Sequence, residues 1–126
     1  MTEADPHQPI SVIYADDDPR MRDLVSALLL DHGIDIHACE TASEALVLFD
    51  RIHPDVVVLD LDMPNITGFE AARRIRERDA FGRTRLIALT GLGVPDLLGD
   101  SARAGFDEFL KKPVSGSTLL RALGIS

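Results

Sequence analysis

The run from Asp55 to Leu61, DVVVLDL, constrains the fold more than any other part of the 126-residue chain. It is rich in β-branched residues, which favour strands, and its central residues do not alternate between apolar and polar. A strand that is apolar on both faces is typical of the middle of a parallel sheet, where helices cover each face. The run therefore predicts an α/β fold with a buried central strand.

Short apolar runs of this kind alternate with helical patterns along the whole chain. The predicted strands are residues 10–15, 34–38, 55–61, 86–89 and 108–110. Strands that alternate with helices form βαβ units with right-handed crossovers, which place the helices on both faces of a parallel sheet. The sequence therefore predicts a three-layer α/β domain.

The predicted helices begin at recognisable signals. Asp18 followed by Pro19 predicts the start of the first helix, because aspartate caps helix N-termini and proline fits the first turn. Thr41 and Glu44 have the spacing of a capping box and predict the start of the second helix. The fourth helix, which begins near Pro95, has the weakest pattern of the five.

Composition predicts one cytoplasmic domain. Thirteen Lys and Arg against 21 Asp and Glu give a net charge of −8, which disfavours binding to nucleic acid and to anionic lipid. No apolar run approaches the roughly 20 residues that span a bilayer, and the acidic N-terminus is unlike a signal peptide. The single cysteine, Cys39, suits a reducing compartment. We expect a flexible leader at residues 1–9 and a folded domain at residues 10–126.

Polar residues follow the predicted strands where ligands bind in open α/β sheets, outside the strands' carboxyl ends. These residues are Asp16, Asp17, Asp60, Thr90 and Lys112. Three clustered carboxylates repel one another unless a cation joins them, and a small set of oxygen ligands suits Mg²⁺. A metal, a lysine and a hydroxyl around one carboxylate are also what phosphoryl transfer requires, with the carboxylate as nucleophile.

Four segments together resemble the receiver domain of two-component response regulators. They are VIYADDDP, VVVLDLDMPNITGFE, LIALTG and DEFLKKPV, in the family's order, and the resemblance covers about residues 10–123. It implies a (βα)5 flavodoxin-like, doubly wound parallel sheet with strand order 2-1-3-4-5. The later segments are most similar to receivers of hybrid sensor kinases. Whether the chain is a stand-alone protein or a domain of a longer one stays open.

The resemblance implies a role for each acidic residue. Asp60 would accept a phosphoryl group from a histidine kinase or a histidine phosphotransfer protein. Asp16, Asp17 and Asp60 would bind Mg²⁺ together with the backbone carbonyl of Asp62. The domain would therefore catalyse only its own phosphorylation and dephosphorylation, and would not be an enzyme in the usual sense.

The resemblance also implies a switch. Thr90 would donate its hydroxyl to the phosphoryl group, and Lys112 would bind the phosphoryl oxygens. Phe109 occupies the position of an aromatic residue, usually Tyr, that turns inward after phosphorylation. This movement would change the face formed by the fourth helix, fifth strand and fifth helix, where a downstream protein partner or a second copy would bind. A cis peptide between Lys112 and Pro113 is also expected.

Two other functions fit parts of the same pattern. Asp60 and Asp62 resemble the DxD motif of haloacid-dehalogenase-type phosphohydrolases, although in that family the metal-binding acidic pair lies late in the chain and here it lies early. A degenerate receiver used only for docking is the second alternative, although all five usual site residues are present.

Three groups of residues are predicted to have no role in the site. The four histidines lack metal-binding spacing and are expected on the surface, and Cys39 is expected to be half-buried without a redox role. An arginine-rich stretch is predicted to be a solvated helix face and loop; it comprises Arg73, Arg74, Arg76, Arg78, Arg83 and Arg85.

Overall fold

The computed structural model describes residues 9–62, 68–79, 82–91 and 105–124. The strands are β1 (Ser11–Ala15), β2 (Asp35–Cys39), β3 (Val56–Asp60), β4 (Arg85–Thr90) and β5 (Glu108–Lys111). The helices in the described residues are α1 (Pro19–Asp31), α2 (Ala42–Ile52), α3 (Gly68–Arg78) and α4 (Gly116–Ala122). All neighbouring strands pair in parallel, in the order β2-β1-β3-β4-β5. The predicted class and strand order are confirmed.

Strand β3 is the central strand that its sequence predicts. All five of its residues are buried, and it pairs with β1 on one side and β4 on the other. Val57 belongs to the apolar cluster under α2 and α3, whereas Val58 belongs to the cluster under α1 and α4. Because successive side chains of a strand point to opposite faces, only a strand without polar alternation can serve two cores.

Local signals fix the starts of the helices that flank the site. The Asp18 side chain accepts a hydrogen bond from the backbone N–H of Arg20, with proline at the first helical position. Thr41 caps α2 through the N–H of Glu44, at 3.1 Å. The chain therefore passes from β1 into α1 within three residues, which keeps the acidic residues of that turn at the end of the sheet.

The arginine-rich stretch is exposed at Arg73, Arg74, Arg78, Arg83 and Arg85, as predicted. The prediction is wrong for Arg76, whose side chain is only 24% exposed.

The Arg76 guanidinium connects α3 to two distant parts of the chain. It donates to the carbonyl oxygens of Gly105, at 2.9 Å, and Thr84, at 2.6 Å. It also pairs with the carboxylates of Asp79, at 3.2 Å, and Asp107, at 2.7 Å. Arg76 is therefore a structural connection between α3, the start of β4 and the segment before β5.

Cys39 is buried, not half-buried as predicted. Burial raises the pKa of its thiol to about 12, so the sulfur stays protonated and weakly nucleophilic at neutral pH. Of the histidines in the described ranges, His32 and His53 are exposed and His37 is half-buried.

Two predictions concern segments outside the described residues. The fourth predicted helix, which begins near Pro95, lies in the range 92–104, and the predicted leader at residues 1–9 is described only at Pro9. Across the described ranges, no helix has the length and apolar character needed to cross a bilayer.

Candidate functional site

Three carboxylates meet at the carboxyl ends of β1 and β3. Asp16 directly follows β1 and Asp60 ends β3, and the register Ala15↔Leu59 of these neighbouring strands places the two aspartates side by side. Each is 1% exposed, whereas Asp17 is exposed. One carboxylate oxygen from each of Asp16, Asp17 and Asp60 lies within 4.8 Å of the others.

Asp16 is held from both the backbone and a side chain. Its Oδ1 accepts the backbone N–H of Asp18, at 2.9 Å, and its Oδ2 accepts the hydroxyl of Tyr14, at 2.5 Å. Its own N–H donates to the Cys39 carbonyl, and its carbonyl accepts from Arg22. Tyr14 was not among the predicted site residues; the signal for it was a hydroxyl two residues before Asp16, on the same face of the strand.

Lys112 supplies positive charge to Asp60. Its Nζ lies 2.7 Å from Asp60 Oδ1 and 3.3 Å from Asp62 Oδ2. Asp60 Oδ1 also accepts the backbone N–H of Asp62, at 2.9 Å. Lys112 is positioned by the end of β5, where its N–H donates to the Thr90 carbonyl. The peptide between Lys112 and Pro113 is cis, as expected.

The ion pair with Lys112 does not fully compensate the negative charge of the buried Asp60 carboxylate. Burial raises its pKa from 3.8 to about 6 and the nearby Asp16 acts in the same direction, which together outweigh the opposing bonds from Lys112 and the Asp62 N–H. Burial alone would lower the pKa of Lys112, but its pairing with Asp60 and Asp62 outweighs burial and raises it. A further cation beside Asp16 and Asp60 would therefore be favoured.

The donor set fits Mg²⁺. Asp16, Asp17 and Asp60 offer hard oxygen ligands from adjoining strand ends, too few for a calcium cage and suited to an ion that keeps several waters. The contribution of the Asp62 carbonyl stays a prediction. The Asp62 carboxylate instead accepts the Gly91 N–H, at 3.0 Å, besides pairing with Lys112.

The predicted switch residues lie on the two strands beyond β3. Thr90 ends β4 and is fully buried. Phe109, in β5, is half-buried, and its ring makes an edge contact with Phe106 at a centroid distance of 5.2 Å. Phe106 makes a second edge contact with Phe69 of α3, at 6.0 Å. This connection from Phe109 to α3 was not predicted from the sequence, because Phe106 and Phe69 are far apart in the chain.

A cleft of about 740 Å³ gives access to the carboxylates. At one end it is lined by Asp16, Asp60 and Lys112. It continues between α1 and α4, where apolar side chains such as Met21 and Leu119 line it. The acidic site is therefore reachable from solvent although two of its carboxylates are almost fully buried.

Comparisons with known proteins agree with this geometry. Residues 12–124 match the family described as response regulator receiver domain. The transcriptional regulatory protein TrcR of Mycobacterium tuberculosis is 33% identical over 115 residues, which are 91% of this chain and 44% of that protein. The sensor histidine kinase AtsR of Burkholderia thailandensis is 34% identical over 116 residues, 90% of this chain and 19% of that protein. The structure of the chemotaxis response regulator CheY4 of Vibrio cholerae superposes with a TM-score of 0.86 at 29% identity, covering 93% of this chain and 98% of that one.

Proposed function

The chain belongs to the response regulator receiver domain family, and from this premise we propose that it carries signals by accepting a phosphoryl group on Asp60. Receiver domains are signalling domains, and the likeness to the kinase AtsR agrees with the similarity to kinase receivers predicted from the sequence. One observation carries the proposal. Asp60 is 1% exposed at the base of an open cleft, with the Lys112 ammonium 2.7 Å from its carboxylate and two further carboxylates beside it.

The proposed reaction is a displacement at phosphorus. A carboxylate oxygen of Asp60 attacks the phosphorus of a phosphohistidine, an O–P bond forms, and the P–N bond breaks as its electron pair returns to the imidazole. The product is an acyl phosphate. Lys112, already in contact with the Asp60 carboxylate, neutralises the incoming phosphoryl oxygens, while the Asp62 N–H holds the carboxylate in place.

Asp16, Asp17 and Asp60, with the carbonyl of Asp62, are the proposed magnesium ligands. When bound, Mg²⁺ supplies positive charge to the phosphoryl oxygens in the transition state. Asp16 and Asp17 thus contribute by binding the Mg²⁺ ion that carries this positive charge, and Asp60 alone forms a covalent bond.

Phosphorylation is proposed to act on a partner-binding face through Thr90 and Phe109. Thr90 lies on β4, the strand next to β3, and would be drawn in to donate its hydroxyl to a phosphoryl oxygen. Phe109 then turns inward, and the equilibrium between two packings of the domain shifts toward the one with Phe109 inside. The edge contact with Phe106 is the contact that this rotation would break.

The proposed phosphodonor is a histidine kinase or a histidine phosphotransfer protein in the cytoplasm. A downstream protein, or a second copy of this chain, would bind the changed face. The net charge of −8 argues against nucleic acid or anionic membrane as partners of this domain. The chain spans less than half the length of TrcR and AtsR, so outputs of those proteins are not transferred to it.

Intact-mass spectrometry after incubation with acetyl phosphate and MgCl₂ tests the proposal. We expect the native chain to gain one phosphoryl mass, and the Asp60→Asn variant to gain none because an amide does not attack phosphorus. EDTA should prevent the gain. Asp55→Asn is the matched control, since Asp55 hydrogen-bonds to Ser11 at the opposite end of the sheet.

Three results, from that experiment and from the same assay with other phosphodonors, would contradict the proposal. A native chain that gains no mass from acetyl phosphate or from a phosphorylated histidine phosphotransfer domain would favour a docking-only receiver. Continuous release of phosphate from a phosphomonoester would favour a phosphohydrolase. Equal labelling of the Asp60→Asn variant would place the acceptor elsewhere.

A further inference from the structure

Tyr14 lies directly beneath the carboxylate site. It is the only tyrosine of the chain and is fully buried in β1, in the apolar cluster that α1 and α4 cover. A buried tyrosine hydroxyl needs a hydrogen-bond partner, and here the partner is Asp16 Oδ2, at 2.5 Å. The aromatic ring is thus fixed by apolar packing while its hydroxyl reaches the acidic cluster.

The hydroxyl completes a two-point attachment of Asp16. One carboxylate oxygen accepts the Asp18 N–H, at 2.9 Å, and the other accepts Tyr14. Bonds to both oxygens fix the rotation of the carboxylate plane. Each oxygen of an ionised carboxylate has a second lone pair, so these two hydrogen bonds leave Asp16 able to bind a cation that lies between it, Asp17 and Asp60.

We propose that Tyr14 is a positioning residue for the metal site, whose hydroxyl holds the carboxylate of Asp16 in the orientation that binds Mg²⁺. This inference rests on the proposed function of the site. Hydrogen-bond partners of metal ligands fix ligand orientation, and their loss costs roughly 10- to 100-fold in metal affinity. Tyr14→Phe keeps the ring and its packing and removes only the donor.

The test compares Tyr14→Phe with Thr84→Val in MgCl₂ titrations followed by backbone amide NMR signals of residues 16, 17 and 60. Thr84 is a matched control, because its buried hydroxyl donates to the Pro54 carbonyl at the opposite end of the sheet. We expect the dissociation constant for Mg²⁺ to rise at least about tenfold in Tyr14→Phe. It should be unchanged in Thr84→Val.

The possible results separate this inference from the proposed function. A native chain that binds no Mg²⁺ would overturn both. Native binding with an equal affinity in Tyr14→Phe would overturn the role of Tyr14 alone, and so would an equal loss of affinity in Thr84→Val, because the effect would then follow from any lost buried hydrogen bond.

A spectroscopic readout adds an independent check. The chain has one tyrosine and no tryptophan, so its near-ultraviolet absorption and fluorescence report on Tyr14 without interference from a second phenol or an indole. Mg²⁺ draws charge from the carboxylate that accepts the hydroxyl, so saturating MgCl₂ should shift the tyrosine spectrum of the native chain. A spectrum unchanged at the concentration where the NMR signals saturate would overturn the proposal.

Discussion

In the absence of divalent cations, the Asp60→Asn variant should gain about 2 kcal/mol in stability relative to the native chain between about pH 4 and about pH 7.5. Burial raises the pKa of Asp60 from 3.8 to about 6, so the native state binds more protons than the unfolded state in this range. Stability that comes from the neutral acid is present at low pH and is lost as the pH rises through about 6. The rise of this pKa from 3.8 to about 6 corresponds to roughly 3 kcal/mol over the whole titration, of which about 2 kcal/mol falls within this pH range, and asparagine avoids this loss.

Urea denaturation in EDTA at several pH values measures this difference. Asp31→Asn is the control, because Asp31 is exposed at the end of α1, and its stability relative to the native chain should change by less than about 0.5 kcal/mol over the same range. MgCl₂ should stabilise the native chain more than Asp60→Asn. A native chain that becomes more stable than Asp60→Asn as the pH rises would show that Lys112 does fully compensate the negative charge of Asp60, which would contradict this prediction.

Replacing Arg76 with methionine should lower the free energy of unfolding by about 3 kcal/mol. The guanidinium donates to two backbone carbonyls and pairs with Asp79 and Asp107, and its side chain is only 24% exposed. Methionine keeps much of the side-chain volume and supplies no donor. The aliphatic part of the native Arg76 side chain also lies against Gly105, where φ is +86° and an added Cβ would come within 2.8 Å of Arg76 Cγ.

Arg74→Met on the same helix is the control for that measurement. Arg74 is 44% exposed and pairs with Glu70 at i,i+4, so its loss should cost less than about 0.5 kcal/mol. Urea denaturation of both variants at neutral pH gives the comparison. Equal stabilities of the two variants would show that the contacts of Arg76 contribute no more than an exposed ion pair.

The fold was predictable where a residue pattern depends on only one element and its neighbours. The apolar run of β3 predicts a strand covered on both faces, and the structure places Val57 and Val58 in opposite cores. The positions of Asp16 and Asp60 at strand ends predicted that they would meet, because parallel strands end together. The strand order came from the family resemblance, since alternation alone does not say which strands are neighbours.

The remaining features depend on contacts between residues far apart in the chain. Arg76 is a charged residue in an arginine-rich helix, which is typical of a solvated face. Nothing in its own segment indicates that Asp107, 31 residues later, lies 2.7 Å away. Tyr14 is consistent with an ordinary core residue until the position of the Asp16 carboxylate is known. Periodicity predicts which side of an element is buried, but it does not predict what a polar group on that side will contact.

Locating the phosphoryl group on the chain is the most direct test of Asp60 as the phosphoacceptor. The native chain is treated with acetyl phosphate and MgCl₂ and then with sodium borohydride, whose hydride reduces an acyl phosphate to an alcohol with release of phosphate. Peptide mass spectrometry should find homoserine in place of aspartate at position 60 and nowhere else. Homoserine at position 16, 17 or 62, or a phosphorylated chain with aspartate intact at position 60, would contradict the assignment of Asp60 as the phosphoacceptor.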